Sequence, residues 1–517
     1  MPEFKHTMFI CLGGTGTQIG TAIGNIYPLL KESGISKDTT SYSMFIMDKD
    51  TMGKNYEYCV NASNRYKSYC DTLPFTALNH YKLEKEVYQE LQRDAGRQSK
   101  DYTVMDLIGT DPEIRALAGM CWKQEKCEEK IRDGNNRDPS RGSLDAHVCL
   151  EHFENCSLFK QINEAVDQDG ENSVRVVILG GATGGMGSSL IVPMVKRIKS
   201  KFGQLRIDMV ILGTYFVIPE NPDKKNKVND IGNTLDSYYR VKDQIIELEE
   251  FIKEYPKDKW WVYYAAIPGF DDICGEFAKN GAEKRHAHFL ELTAALSAFS
   301  LEFREEPGFY LTTLPSNEGI PTNVGWEEIP FGKDLKTLAG NFMRLISIMA
   351  CQVYPRFMQD RQKLVKDLYI KLYINRPGDD MEKLAAISGL IKEWLNNIIP
   401  YFEFWNEIQE YTMLGSNRNG IINFFIVKNM EEKYKYKDME KMSKILAEIL
   451  NNPKAAWMNN IPLNKMPLCR DTWANYLPEI KPDKDRLAGA GASQDSKELI
   501  RQIIKDIYIA IAARKED

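Results

Sequence analysis

The chain has 517 residues, of which 43% are hydrophobic and 27% charged, an ordinary balance for a globular protein. Its formal net charge of −6 argues against a general nucleic-acid binder, whose mark is a basic stripe. No apolar run reaches the roughly 18 residues that a bilayer crossing needs, which excludes a transmembrane helix.

The length alone suggests about three domains, or two large ones. Ten cysteines include no Cys-x-x-Cys pair, and Cys121/Cys127 and Cys149/Cys156 are too loosely spaced for common zinc sites. Free thiols in a reducing cytosol, and no metal centre, are therefore expected. Met1 to Lys5 lacks a signal-peptide pattern, which agrees with a cytoplasmic location.

In chain order, Thr7 to Leu12 reads as a buried strand. It runs into Gly13-Gly14-Thr15-Gly16-Thr17-Gln18-Ile19-Gly20, followed by a helix through Ile23, Ile26 and Leu29-Leu30. A second strand, Tyr42 to Met47, ends in Asp48-Lys49-Asp50. An acid at this place often meets a ribose or a metal-bound water. Residues 80–130 read as helical, with Leu83, Val87 and Leu91 at helical spacing. Asp133 to Ser143 is a turn-rich loop whose Arg137 and Arg141 are within reach of a phosphate or simply solvated.

A helix through Val148, Phe153 and Phe159 leads to the apolar run Val174 to Ile178 and a second glycine stretch, Leu179-Gly180-Gly181-Ala182-Thr183-Gly184-Gly185-Met186-Gly187-Ser188-Ser189. Strand, glycine loop and helix are the arrangement that cradles phosphate. Glycine lets the backbone approach, and unpaired N–H groups at the helix start attract anions. Further strands are read at Ile207 to Thr214 and Trp260 to Ala266, with a helix over 238–253 between them. Strands alternating with helices predict an α/β fold with a parallel sheet.

Residues 283–303 form a long helix with Phe289, Leu292, Leu296 and Phe299 apolar, and residues 304–334 are loop-rich. An α+β pattern without glycine loops follows. It has helices near 335–360, 380–399 and 431–451 and strands near 367–375 and 420–428. After the linker-like Leu487 to Ser493, a last helix carries Ile500, Ile503, Ile504, Ile507 and Ile511 on one stripe. Its default use is packing on its own domain; a partner protein is the other.

The two glycine stretches together resemble the tubulin/FtsZ superfamily. The tubulin opening GQCGNQIG is matched by Gly13, Gly16, Gln18, Ile19 and Gly20, and its signature LGGGTGSGMGTLLI by Leu179 to Ile191. Ala182 replaces a glycine there, and one residue is missing between Gly184 and Gly185. The resemblance implies a tubulin-like parallel-sheet nucleotide-binding domain over residues 1–282. A long central helix over 283–303 would join it to an α+β second domain over 304–486, with a linker and C-terminal helix over 487–517.

It further implies that Gly13, Gly14, Thr15, Gly16, Thr17, Gln18 and Asp48 line a GTP/GDP site. Gly180, Gly181, Ala182, Thr183, Gly184, Gly185, Met186, Gly187 and Ser188 would wrap the diphosphate, and Mg2+ would enter through the nucleotide. The family's base-reading Asn-His pair is Ala287-His288 here, so His288 keeps its place and Asn233 or Asn280 would substitute for the asparagine. The family's catalytic loop is completed by the next subunit. Its nearest counterpart is Asn323-Val324-Gly325-Trp326-Glu327-Glu328-Ile329, which gives Glu327 and Glu328 as candidate GTPase acids and the chain itself as head-to-tail partner. Two other readings stand beside this one. The first is a nucleotide-binding interaction protein that forms no filament. The second is an NAD(P)-dependent oxidoreductase, because Gly14-x-Gly16-x-x-x-Gly20 with an acid ending the next strand partly meets a dinucleotide fingerprint.

Overall fold

The computed structural model describes residues 4–32, 39–48, 55–63, 82–83, 103–105, 112–128, 142–143, 150, 153–182, 185–213, 234–256, 258–265, 287–311, 329–349 and 386–396, with residues 354, 404–405, 504 and 507–508. Seven strands, β1 (His6–Leu12), β2 (Ser41–Met47), β3 (Lys82–Leu83), β4 (Val174–Gly181), β5 (Arg206–Leu212), β6 (Trp261–Ala265) and β7 (Gly308–Leu311), form one sheet. Its order is β3-β2-β1-β4-β5-β6-β7, and every pair is parallel. The α/β parallel sheet read from the sequence is therefore present.

The central strands are buried and mostly apolar because both faces of the sheet are covered, as all-parallel sheets require; Thr7, Arg175 and Asp208 are buried polar exceptions. Helices α1 (Gly13–Glu32), α2 (Ser157–Asp169), α3 (Gly187–Lys201), α4 (Thr234–Glu254) and α5 (Phe289–Ser300) supply that cover, and α6 (Gly332–Ile348) packs against α1. Met8, Ile10, Leu12, Val176, Ile178, Ile207, Met209, Ile211 and Val262 share a core with Leu158, Ile162, Leu190, Met194, Ile198, Leu248 and Phe251 from α2, α3 and α4. The alternate residues of the strands face α1 and α5. There the Phe9 ring lies 5.4 Å from Phe299 and the Tyr27 ring 5.3 Å from Tyr42, centroid to centroid.

The helix expected over 283–303 begins later, at Phe289, because His288 is in extended backbone and caps it; Leu301–Phe303 continues α5 as a 3-10 turn. It is buried nearly all round, with Leu290, Leu292, Ala295, Leu296 and Ala298 at 1% exposure or less. Its C-terminal end is held by charge. Arg175, fully buried on β4, donates from Nε to Asp208 Oδ2 at 2.6 Å and from Nη2 to the Ala298 carbonyl at 2.6 Å. Arg206 donates from Nε to Asp208 Oδ1 at 3.0 Å and from its other end to the Leu301 carbonyl. Cations at the C-terminal end of a helix meet its negative pole.

Three further sequence expectations change. The segment Gly13–Gly20 is not a loop before a helix: α1 begins at Gly13 itself, and the glycines lie in its first turns. Leu83, read as helical, sits in the short edge strand β3. The stretch read as loop after residue 304 contains β7, which returns the chain to the same sheet beside β6. Both missed strands are edges of two and four residues, too short to show a period.

The start of β1 is tied to the end of α2. Lys5 donates to Asp169 Oδ1, and His6 Nε2 lies 2.8 Å from Asp169 Oδ2. The Lys5 hydrogen bond first, then that of His6, holds the Asp169 carboxyl below its ordinary value. A lowered carboxyl contributes stability above its unfolded-state pKa and loses it as pH falls through the folded one. Asp169→Asn is therefore expected to melt slightly below wild type at neutral pH. The gap should close as pH drops below about 4, the ordinary carboxyl value; a gap independent of pH would contradict the ion pair.

Candidate functional site

The strand order reverses between β1 and β4: chain connections leave β1 toward β2 and β3 on one side, and leave β4 toward β5, β6 and β7 on the other. A crevice outside the carboxyl ends of the strands at such a switch point is where open parallel sheets bind ligands. Both glycine stretches are at this place. Register pairs Cys11 with Leu179, so Gly13, the first residue after β1, comes beside Gly181, the last residue of β4.

The two stretches pack directly on each other. A Cβ at Gly13 would stand 3.1 Å from the Gly187 nitrogen and 3.2 Å from Met186 Cβ; one at Gly187 would be 3.1 Å from the Leu12 oxygen and 3.0 Å from the Gly181 nitrogen. Thr15 covers Gly181, where a Cβ would lie 2.8 Å from Thr15 Oγ1. Gly13 has φ +64, the left-handed region that turns the chain from strand into helix and that side chains resist by about 1–2 kcal/mol. Gly142 presses on the second stretch from outside, because its Cβ would fall 1.9 Å from the Gly185 oxygen and 2.3 Å from Ser189 Oγ. No motif or period in the sequence marks this glycine, which lies between Arg141 and the loop end Ser143.

Two helix N-termini, those of α1 and α3, converge here. Neither has an acidic residue in its first turn, and the residue before α3, Met186, provides no side-chain cap. The first amide groups of an α-helix have no partner within it and carry its positive pole. Among the described site residues Gly14 and Thr15 are half-buried, whereas Gly13, Gly16, Thr17, Gln18, Gly180, Gly181, Ala182, Gly185, Met186, Gly187 and Ser188 are buried.

The buried members hold the scaffold. Thr17 Oγ1 donates to the Gly13 carbonyl at 2.9 Å, and Thr21 Oγ1 to the Thr17 carbonyl at 3.1 Å, so the Thr17 hydroxyl is spent inside α1. Gly16 lets α1 touch the sheet: its Cβ would sit 2.5 Å from the Leu179 oxygen. Gly20 leaves room for Cys11 Sγ, Cys59 Sγ and Met44 Sδ. Burial pushes both thiols up, Cys59 to about 12, which makes them inert at neutral pH.

Asp48, buried at the end of β2, comes to the first stretch, its Oδ2 3.9 Å from where a Gly14 Cβ would be. Asn55, at the start of the helix spanning 55–63, joins it with Nδ2 at 3.6 Å from the same point. No periodicity or motif marked Asn55 in the sequence. His288 precedes α5, and its Nδ1 accepts from the Leu290 amide at 3.1 Å, a helix cap. Thr183, Gly184, Asn233, Glu327 and Glu328 lie outside the described residues.

Among the described residues no group of three or more His, Cys, Asp or Glu could hold a metal ion. None of the described helices is long and apolar enough to cross a membrane. Searches against family models, curated proteins and solved structures return no match.

Proposed function

We propose that the chain is a guanine-nucleotide-binding protein similar to the tubulin/FtsZ superfamily, which assembles head to tail with GTP between subunits. The observation that carries nucleotide binding is the packing of the two glycine stretches against each other at the switch point, with the N-termini of α1 and α3 beside them, neither with an acid in its first turn. A diphosphate would lie across the starts of α1 and α3, each charge–dipole contact worth about 0.3–2 kcal/mol. Mg2+ would come as the counter-ion of those phosphates. Hydrolysis would need Glu327 or Glu328 of a neighbouring copy to orient water against the terminal phosphate, and the C-terminal helix would be left for another protein partner in the cytoplasm.

Assembly is tested by pelleting and light scattering with GTP, GDP and no nucleotide. GTP-dependent sedimentation at micromolar protein is expected. Nucleotide binding without sedimentation would replace this reading by that of a non-polymerising interaction protein. One observation favours a further reading: the strand order is shared with dinucleotide domains, and Asp48 ends β2 beside Gly14 as the acid of such domains does. An NAD(P)-dependent oxidoreductase predicts NAD in the same crevice.

A further inference from the structure

Asn55 raises a question that the scaffold does not answer. Its Oδ1 is buried and accepts no hydrogen bond, although an unpaired buried acceptor costs on the order of 1–3 kcal/mol. Its Nδ2 and the Asp48 carboxylate both stand over half-buried Gly14, 3.6 and 3.9 Å from the position of a Cβ there. An acceptor without a donor and a carboxylate thus meet at the open end of β2, next to the positive pole of α1.

A phosphate does not suit this corner, because it offers only acceptors and would be repelled by Asp48. A neutral group rich in donors does. If phosphates occupy the α1 N-terminus at the end of β1, the corner at β2 lies one strand spacing away, about 4.8 Å. That is where the sugar of a nucleotide would reach. Adjacent hydroxyls match the chemistry: each can donate to one of the two acceptors, and a hydroxyl oxygen can accept from Asn55 Nδ2.

We propose, resting on the nucleotide reading above, that Asn55 is a specificity-determining residue that holds the ribose diol together with Asp48. Asn55 Oδ1 accepts from the 2′-hydroxyl and Asp48 Oδ2 from the 3′-hydroxyl. The site then rejects deoxynucleotides, since a missing hydroxyl leaves a buried acceptor unpaired.

The test is a comparison of dissociation constants for GTP and 2′-deoxy-GTP on the full-length protein. Wild type should prefer GTP by on the order of 10–100-fold, the range that one lost buried hydrogen bond produces. Asn55→Ala should weaken GTP toward the deoxynucleotide while leaving 2′-deoxy-GTP binding nearly unchanged, which a merely structural role would not do. Asn55→Gln, which keeps the amide but displaces it, should lose selectivity in the same way. Equal wild-type affinities, or an Asn55→Ala effect that is the same for both nucleotides, would overturn the proposal and leave nucleotide binding intact. Failure to bind either would overturn the nucleotide reading itself and this proposal with it.

Discussion

Gly16→Ala is expected to destabilise the protein by about 3 kcal/mol, at the upper end of what overpacking costs. The added methyl would lie 2.5 Å from the Leu179 oxygen, 2.9 Å from the Cys11 carbonyl carbon and 3.2 Å from Cys11 Cα. All three atoms belong to the backbones of β1 and β4, the two central strands on either side of the switch point. None can swing aside, so α1 must lift off the sheet. Its start would then part from the second stretch, and nucleotide affinity should fall together with stability. Gly14→Ala is the control. Its methyl would meet only Asn55 Nδ2 at 3.6 Å and Asp48 Oδ2 at 3.9 Å, ordinary contact, and alanine is favoured in a helix by up to about 1 kcal/mol. Chemical denaturation of both variants decides the matter. A Gly16→Ala protein as stable as Gly14→Ala would mean that α1 does not rest on these strands.

Asp208→Ala is the second large effect, expected at about 3–5 kcal/mol, the range for breaking a buried ion pair by removing one partner. Asp208 is fully buried and receives both Arg175 and Arg206. Without it two guanidinium groups remain charged next to each other, because arginine does not give up its proton in a protein. The carbonyls of Ala298 and Leu301 still accept from them, but Glu302 lies 3.7 Å from Arg175 and cannot replace a carboxylate in direct contact. Since total stabilities are commonly about 5–15 kcal/mol, much of the variant should be unfolded when made at 37 °C. Replacing Arg175 and Asp208 together by Met and Leu should recover part of the loss, because no charge of that pair is then stranded. A double variant worse than the sum of its single changes would contradict this account of the network.

The five central strands were legible because each is a short, mostly apolar run, although Ser43, Arg175 and Asp208 interrupt three of them. The two strand–glycine–helix passages were legible too, but the strand order that sets them at a switch point was not. What the pattern did not disclose is the work of each glycine. Gly16 and Gly20 fit a phosphate loop by spacing, yet four residues apart on a helix they also form the flat stripe by which α1 meets the sheet. The two uses look alike until the opposite surface is known. His288 likewise was read for its place before the central helix, where its ring caps that helix. Asn55 and Gly142 carry no local signal, because their roles arise from approaches across the fold, to Gly14 and to Gly185.

The most direct measurement of the central claim is the identity of nucleotide released when the purified full-length protein is denatured, after incubation with a mixture of GTP, ATP and NAD. The account predicts guanine nucleotide, close to one per chain, and its loss in Gly13→Val, where the φ of +64 and the contact with Gly187 forbid a branched side chain. NAD in its place, or protein free of nucleotide after incubation, would contradict it.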